Sequence, residues 1–150
     1  MKSLEAQAKE GKINEDASIR DRQSIIINAP IQRVWDVLIN INRWHDWYHD
    51  IKDASCEKVE VGAPFEWSLK STHLHSNFQL VEEPTRLAWT GKSKMVKAIH
   101  VWDLESADDQ TILTAEKSIE GFLIPVFNRQ SKVHDDLMAW IEALKVEAEK

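Results

Sequence analysis

The sequence has little of what marks secreted, membrane-bound or multidomain proteins. A single cysteine, Cys56, excludes an internal disulfide and is typical of a reducing compartment. Four glycines and four prolines leave no room for a long flexible linker. No apolar run approaches the roughly 20 residues that a membrane-spanning helix needs, and residues 1–12 lack the apolar stretch of a secretory signal. We therefore expect a cytoplasmic protein with no membrane insertion.

The sequence also lacks a positive net charge and the common catalytic motifs. The net charge of −6 and the pI near 5.5 argue against nucleic acid as a partner. The sequence contains no glycine-rich phosphate loop, no Gly-x-Ser-x-Gly elbow and no Cys-x-x-Cys pair, so nucleotide binding, serine hydrolysis and dithiol chemistry have no support. No cofactor is predicted.

Apolar and aromatic residues are plentiful by contrast. They make up 43% of the 150 residues, and seven of them are tryptophans, which is enough for one well-filled core. Residues 1–17 are polar and charged, and we predict a loose N-terminal arm there. Residues 18–150 are predicted to form a single domain.

The pattern along the chain changes from helix to strand and back. Ile19 to Asn28 is predicted to be a strand, and Asn28-Ala29-Pro30 to begin a short helix with Asn28 as its cap. A second short helix or turn follows over residues 42–50. From there to Gly121, apolar and polar residues alternate in five or six segments, which predicts antiparallel strands rather than βαβ units.

Residues 124–149 are predicted to form one long helix. An apolar stripe at spacings of three and four marks its inner face, and two polar residues interrupt it. The stripe consists of Leu123, Phe127, Gln130, His134, Leu137, Ile141, Leu144 and Ala148. A curved antiparallel sheet is the natural surface for such a helix, so the predicted fold class is α+β, with space between the sheet and the helix.

Several short motifs, in order, resemble those of the START-like or Bet v 1-like helix-grip domains (the SRPBCC superfamily), and within it the bacterial polyketide cyclase/dehydrase-type branch. The motifs are Ile27-Asn28-Ala29-Pro30, Val34-Trp35, Arg43-Trp44-x-x-Trp47, Arg86-Leu87-Ala88-Trp89-Thr90-Gly91, Ala98-Ile99-His100-Val101-Trp102 and Ala139-Trp140-Ile141. The resemblance spans residues 20–148. It implies a seven-stranded sheet that grips the C-terminal helix, two small helices after the first strand, and a hydrophobic cavity for lipids, sterols, polyketides or hormones.

Alternation places one set of large rings and polar groups on the inner side of the sheet and the helix. The predicted ligand-binding residues are Trp47, Trp67, Phe78, Trp89, His100, Trp102, Gln130 and His134. The aromatic members could equally fill a packed core. A buried polar side chain without a partner costs about 1–3 kcal/mol, so His100, Gln130 and His134 must meet one another, water or a ligand. Trp47 is interpreted as part of an entrance, because the resemblance places that region at one end of the cavity.

Two further features are interpreted as structural. Lys117 has the inward phase, but it lies near a strand end, where its chain can reach water. His73-x-His75 places two imidazoles on the outward face of one strand, and the sequence supplies no third ligand, so no metal site is predicted.

Three functions remain open on the sequence alone. The first is binding of a small hydrophobic or aromatic molecule, lipid- or polyketide-like. The second is a polyketide cyclase or dehydratase, in which His100 or His134 moves a proton. The third is a non-catalytic interaction or stress-related domain, with a homodimer left open and Ile99 and Val101 as an outward apolar patch.

Overall fold

The computed structural model describes residues 2–94, 96–121 and 126–150, with side chains of the last helix from Gln130 onward. The seven strands are β1 (Ile19–Ile27), β2 (Ile51–Cys56), β3 (Pro64–Leu69), β4 (Thr72–Glu82), β5 (Arg86–Ser93), β6 (Val96–Ala107) and β7 (Gln110–Gly121). The helices are α1 (Leu4–Lys9), α2 (Ile31–Ile39), α3 (Trp44–Trp47) and α4 (Val126–Ala148), with a 3-10 turn (Ile41–Arg43) before α3.

All seven strands form one antiparallel sheet in the order β1-β7-β6-β5-β4-β3-β2. Because neighbouring strands are mostly consecutive in the chain, short turns connect them, and only β1 joins the sheet from a distance. The inner face of the sheet packs on α4, where Trp140 contacts the rings of Trp67, Trp89 and Trp102 at 5.2–6.2 Å. The predicted α+β helix-grip architecture is confirmed.

The ends of the helices differ in detail from the prediction. Helix α2 begins at Ile31 with Pro30 at its N-cap, and no side chain caps it. Asn28, predicted to be the cap, instead uses its backbone N–H to bind the Glu149 carboxylate at 2.7 Å. Helix α4 ends at Ala148, and Leu123, Pro125 and the Phe127 side chain lie outside the described residues. Among the described helices, none is both long and apolar enough to cross a bilayer.

Two features of the sheet were not anticipated from the residue pattern. Strand β2 carries too few apolar residues to be recognised, yet it pairs with β3 at the edge of the sheet. In β4 a bulge at Gln79 shifts the register, so that Phe78 pairs with Trp89 while Leu80 pairs with Ala88. Since the extra residue reverses the alternation, Leu80 packs on the outer face instead of the inner one.

The N-terminal arm lies on the outer face of the sheet, and the prediction that it is loose is wrong. Ala8 and Ile13 are buried against the outward side chains of Ala88, Ile99 and Val101. The predicted outward apolar patch is therefore covered by the chain's own first residues.

A polar contact fixes the arm at its turn. Arg86 donates to the Gly11 carbonyl at 2.9 Å and pairs with Asp103 at 2.7 Å. Gly11 has φ +71°, and a side chain there would collide with the Arg86 guanidinium. The arm thus depends on one glycine and one arginine for its path.

Candidate functional site

A cavity of about 120 Å³ lies between the inner face of the sheet and α4. Its apolar wall includes Trp67, Leu74, Trp89, Ala98 and Ile119 from the strands and Val133 from α4. Two buried ionisable side chains, His100 and Lys117, also line it. Ligand cavities are mostly apolar with a few convergent polar groups, and this one has that composition.

The space exists because small side chains occupy neighbouring inward positions on three strands. Ser76, Gly91 and Ala98 are direct partners across β4, β5 and β6. A side chain at Gly91 would approach the Ser76 hydroxyl at 3.1 Å. Ser76 itself accepts a hydrogen bond from the Trp67 indole N–H at 3.1 Å. This row leaves room that large side chains would have filled.

His100 lies at the base of the cavity among three indole rings. Its ring centre is 4.8–5.0 Å from those of Trp89, Trp102 and Trp140, and the residue is 1% exposed. Neither ring nitrogen has a hydrogen-bond partner among the residues that the structure describes. Burial holds the pKa of His100 well below its usual range, and the nearby Lys117 charge lowers it further. His100 is therefore neutral at pH 7.

Lys117 is the register partner of His100 on the adjacent strand. It is only 9% exposed, and its Nζ lies 6.0 Å from the centre of the Trp67 ring. Our expectation that it reaches water at a strand end is wrong. Burial lowers the pKa of Lys117 to about 8, although the Asp136 carboxylate opposes the effect. Lys117 is thus a buried cation facing the cavity at neutral pH.

The rim of the cavity adds further positive charge. Lys70 and Lys132 line it, and Lys70 pairs with Asp136 at 2.8 Å. Together with Lys117, three lysines face one aspartate around the same opening. This local excess contrasts with the net charge of −6 and favours a ligand with an anionic group.

The predicted aromatic site residues separate into two groups. Trp67, Trp89 and His100 line the cavity, as their inward phase indicates. Phe78 and Trp102 are fully buried in the packed core and are not part of the wall.

Trp47, predicted to lie at an entrance, is only half-buried. It packs on the core beside the two short helices rather than on the cavity wall. No observation assigns a ligand-binding role to Trp47.

Gln130 and His134 were predicted to point into the cavity, but neither side chain does so. Gln130 donates to the Arg20 carbonyl of β1 at 2.7 Å, and His134 is exposed and contacts Gln23 and Asp21. At 3.6 residues per turn, the position one turn before Leu137 falls between 133 and 134. The apolar Val133 takes the inward place, which turns His134 toward the sheet edge.

The other end of the same interior is filled by aromatic rings. Trp44 is fully buried, its N–H donates to the Leu38 carbonyl at 2.9 Å, and its ring lies 5.2–6.0 Å from four others. Phe65 and Phe78 stack at 4.4 Å beside it. The cavity described above is not lined by Trp44, Phe65 or Phe78. We call the region around these three rings the packed end.

Comparisons with known proteins agree with this architecture. The family model described as "Polyketide cyclase / dehydrase and lipid transport" matches residues 18–145. No functionally curated protein matches the sequence.

Solved structures supply the remaining comparisons. A hypothetical protein of Helicobacter pylori superposes with a TM-score of 0.79 at 16% identity, over 89% of this chain and 90% of the other. A START superfamily protein of Mycobacterium smegmatis gives 0.76 at 11% identity, over 87% and 97%. DynU16, from a dynemicin biosynthetic locus, gives 0.71 at 16% identity, over 87% of this chain and 47% of that one. At these identities the likeness establishes the fold alone.

Proposed function

Because the chain belongs to the polyketide cyclase/dehydrase and lipid transport family of START-like domains, we propose that it binds a small hydrophobic or aromatic molecule between its sheet and its C-terminal helix. The ligand carries an acidic or carbonyl group at one end. The single cysteine supports a cytoplasmic location for this binding.

The observation that carries the proposal is the pair of polar groups in an apolar cavity. Lys117 lines the cavity with only 9% of its surface exposed, and both nitrogens of His100 lack partners among the described residues. A buried polar group without a partner, such as the His100 imidazole, costs about 1–3 kcal/mol of folding free energy. A ligand oxygen near these groups would recover part of that cost, which supports a carboxylate or carbonyl as the recognised group.

The volume limits what can be enclosed. An engineered apolar cavity of about 150 Å³ in another protein holds a benzene molecule. The 120 Å³ found here therefore suits about one ring or a short chain. A larger lipid-like or polyketide-like molecule would have to extend through the rim past Lys70 and Lys132.

Calorimetric titration with benzoate and with benzyl alcohol tests the proposal. The two probes share the ring and differ in charge, so we expect the full chain to prefer benzoate. Lys117→Met should remove that preference and leave benzyl alcohol binding in place. Ala98→Phe should abolish binding of both probes, because the new ring fills the cavity.

Ala139→Phe is the matched control, since Ala139 is exposed on the same helix that covers the cavity. It should bind both probes like the unmodified protein. Failure of the folded protein to bind either probe at millimolar concentration would contradict the proposal. Equal binding by Ala98→Phe and Ala139→Phe would also contradict it, because the probes would then lie elsewhere.

The juxtaposition of His100 and Lys117 also supports a second candidate, a cyclase or dehydratase. A neutral imidazole can take a proton from the carbon beside a ketone, and an adjacent ammonium stabilises the enolate oxygen. The enolate carbon then attacks a second ketone of the same chain, and the protonated His100 returns the proton to that oxygen. Loss of water from the resulting alcohol would complete a dehydration.

Incubation with a linear triketone acid, followed by mass spectrometry and NMR, distinguishes catalysis from binding. An enzyme would produce a cyclic isomer or its dehydrated form at a rate above background. His100→Leu would remove this rate while the fold is kept. Product formation at the unmodified rate by His100→Leu would eliminate the catalytic role of His100.

A further inference from the structure

Three potential metal ligands meet on the outer face of the sheet, away from the cavity. His73 and His75 lie two residues apart on β4, so their side chains project from the same face. The structure places Glu66 of β3 directly opposite His75. The third ligand that the sequence could not supply is thus brought in by strand pairing.

The ligand atoms are already close to a coordinating arrangement. Glu66 Oε1 lies 2.7 Å from His75 Nδ1 and 3.5 Å from His73 Nε2, and one ligand atom from each residue falls within 4.8 Å of the others. Ligands at about 2.0–2.1 Å from a tetrahedral zinc ion are about 3.3 Å apart. Small side-chain rotations would therefore bring all three onto one ion.

Ser68 orients one of the imidazoles. Its hydroxyl oxygen lies 2.9 Å from His73 Nδ1, and Ser68 is the register partner of His73 on β3. When that nitrogen carries the proton and donates to the hydroxyl, Nε2 is left with a free lone pair directed at Glu66. Metal-bound histidines are commonly held by a second hydrogen bond of this kind.

The surroundings leave the cluster open on one side. Glu66 and His75 line a surface groove of about 670 Å³ that also carries Glu57 and Glu60. These carboxylates favour a cation. Two lysines oppose it: Lys58, which pairs with Glu60 at 2.9 Å, and Lys92, the register partner of His75 on β5. All three ligands are exposed, so water or a further ligand can reach a fourth position.

We propose that Glu66, His73 and His75 form a binding site for a divalent transition-metal ion of the zinc type, with an open fourth position. Two imidazoles and one carboxylate are the donor set that such ions accept, and a three-ligand site retains a place for water. The site crosslinks β3 to β4 and is independent of the ligand cavity.

Calorimetric titration of the full chain with zinc chloride tests the site. We expect one ion per chain, with binding weakened about tenfold by Ser68→Ala and more strongly by Glu66→Gln or His75→Ala. The imidazole resonances of His73 and His75 should shift in NMR spectra at one equivalent of zinc. Thermal unfolding without zinc checks that each variant is folded.

His45→Ala is the matched control, because His45 is also an exposed histidine beside a carboxylate, with Nε2 3.1 Å from Asp46. It should bind zinc like the unmodified protein. The proposal is overturned if the full chain shows no saturable binding. It is also overturned if a folded His73→Ala/His75→Ala double variant retains the stoichiometry and affinity of the original.

Discussion

Inward side chains alternate along the strands at both ends of the space between the sheet and helix α4. Large rings fill one end, whereas the other end contains a cavity. At the packed end, Trp44 contacts both Phe65 and Trp140 of the helix, and Phe65 stacks on Phe78. At the cavity end, Gly91 and Ala98 hold equivalent inward positions and leave about 120 Å³ unfilled.

The difference shows how one end of a sheet can stabilise the fold while the other end provides space for a ligand. Large rings at one end exclude water and gain dispersion contacts, whereas small residues at the other give up those contacts and expose two polar groups to a cavity. Substitutions at the packed end should therefore affect folding first. Substitutions at the cavity end should affect pH dependence and ligand binding.

The largest expected effect is that of Trp44→Ala at the packed end. The substitution removes a fully buried indole and its hydrogen bond to Leu38, so we expect the free energy of unfolding to fall by about 3–5 kcal/mol. Urea denaturation followed by circular dichroism measures it. Trp47→Ala, at a half-buried ring nearby, should cost about 1 kcal/mol, and equal losses for the two would contradict the comparison.

An intermediate effect is expected from Lys117→Met at the cavity end. The folded-state pKa of Lys117 is about 8, below the ordinary lysine value of 10.5, so the unfolded chain binds more protons between these values. Below pH 8 the lysine is protonated in both states, and the folded protein bears the cost of the buried charge. As the pH rises from 8 toward 10.5, the folded protein loses this proton first, so its free energy of unfolding increases. A shift of this size corresponds to about 3 kcal/mol in the free energy of unfolding.

Urea denaturation of both proteins at several pH values between 7 and 10.5 tests this linkage. Lys117→Met should be the more stable protein at pH 7, and its advantage should shrink as the pH rises. A stability difference that stays constant across this range would show that Lys117 is not held in an unfavourable charged state.

The smallest effect is expected from His134→Ala, which lies at neither end. Its imidazole is exposed beside Asp21 at the sheet edge, so the free energy of unfolding should change by no more than about 0.5 kcal/mol. Binding of benzoate should be unchanged. A loss of benzoate binding comparable to that of Lys117→Met would place His134 in the site after all.

Residue patterns predict the fold well where burial has a clear period. The alternation around Trp89 and Trp102 and the stripe from Leu137 to Ala148 correctly give the sheet and the gripped helix. Strand β2 was missed because an edge strand with one buried residue carries almost no alternation. The outward position of Leu80 could not be predicted, because a bulge leaves no clear mark in the sequence.

The cavity was only partly predictable for similar reasons. The inward position of His100 was predicted correctly from the alternation along its strand. Lys117 was misinterpreted because the position of a residue along a strand does not show whether its side chain can reach water. His134 was misplaced because spacings of three and four are both compatible with one helical face until packing selects Val133. Gly91 and Ala98, small residues at inward positions, were the available signal for space.

The short arm clasped by Arg86 has a practical consequence for preparing the protein. The family match begins at residue 18, which invites a shortened chain that starts there. Such a chain would expose Ala88, Ile99 and Val101 to solvent on the outer face of the sheet. Exposed apolar patches of this kind promote association between molecules. We therefore expect the shortened chain to aggregate more readily than the full chain, which light scattering of the two proteins at equal concentration would measure.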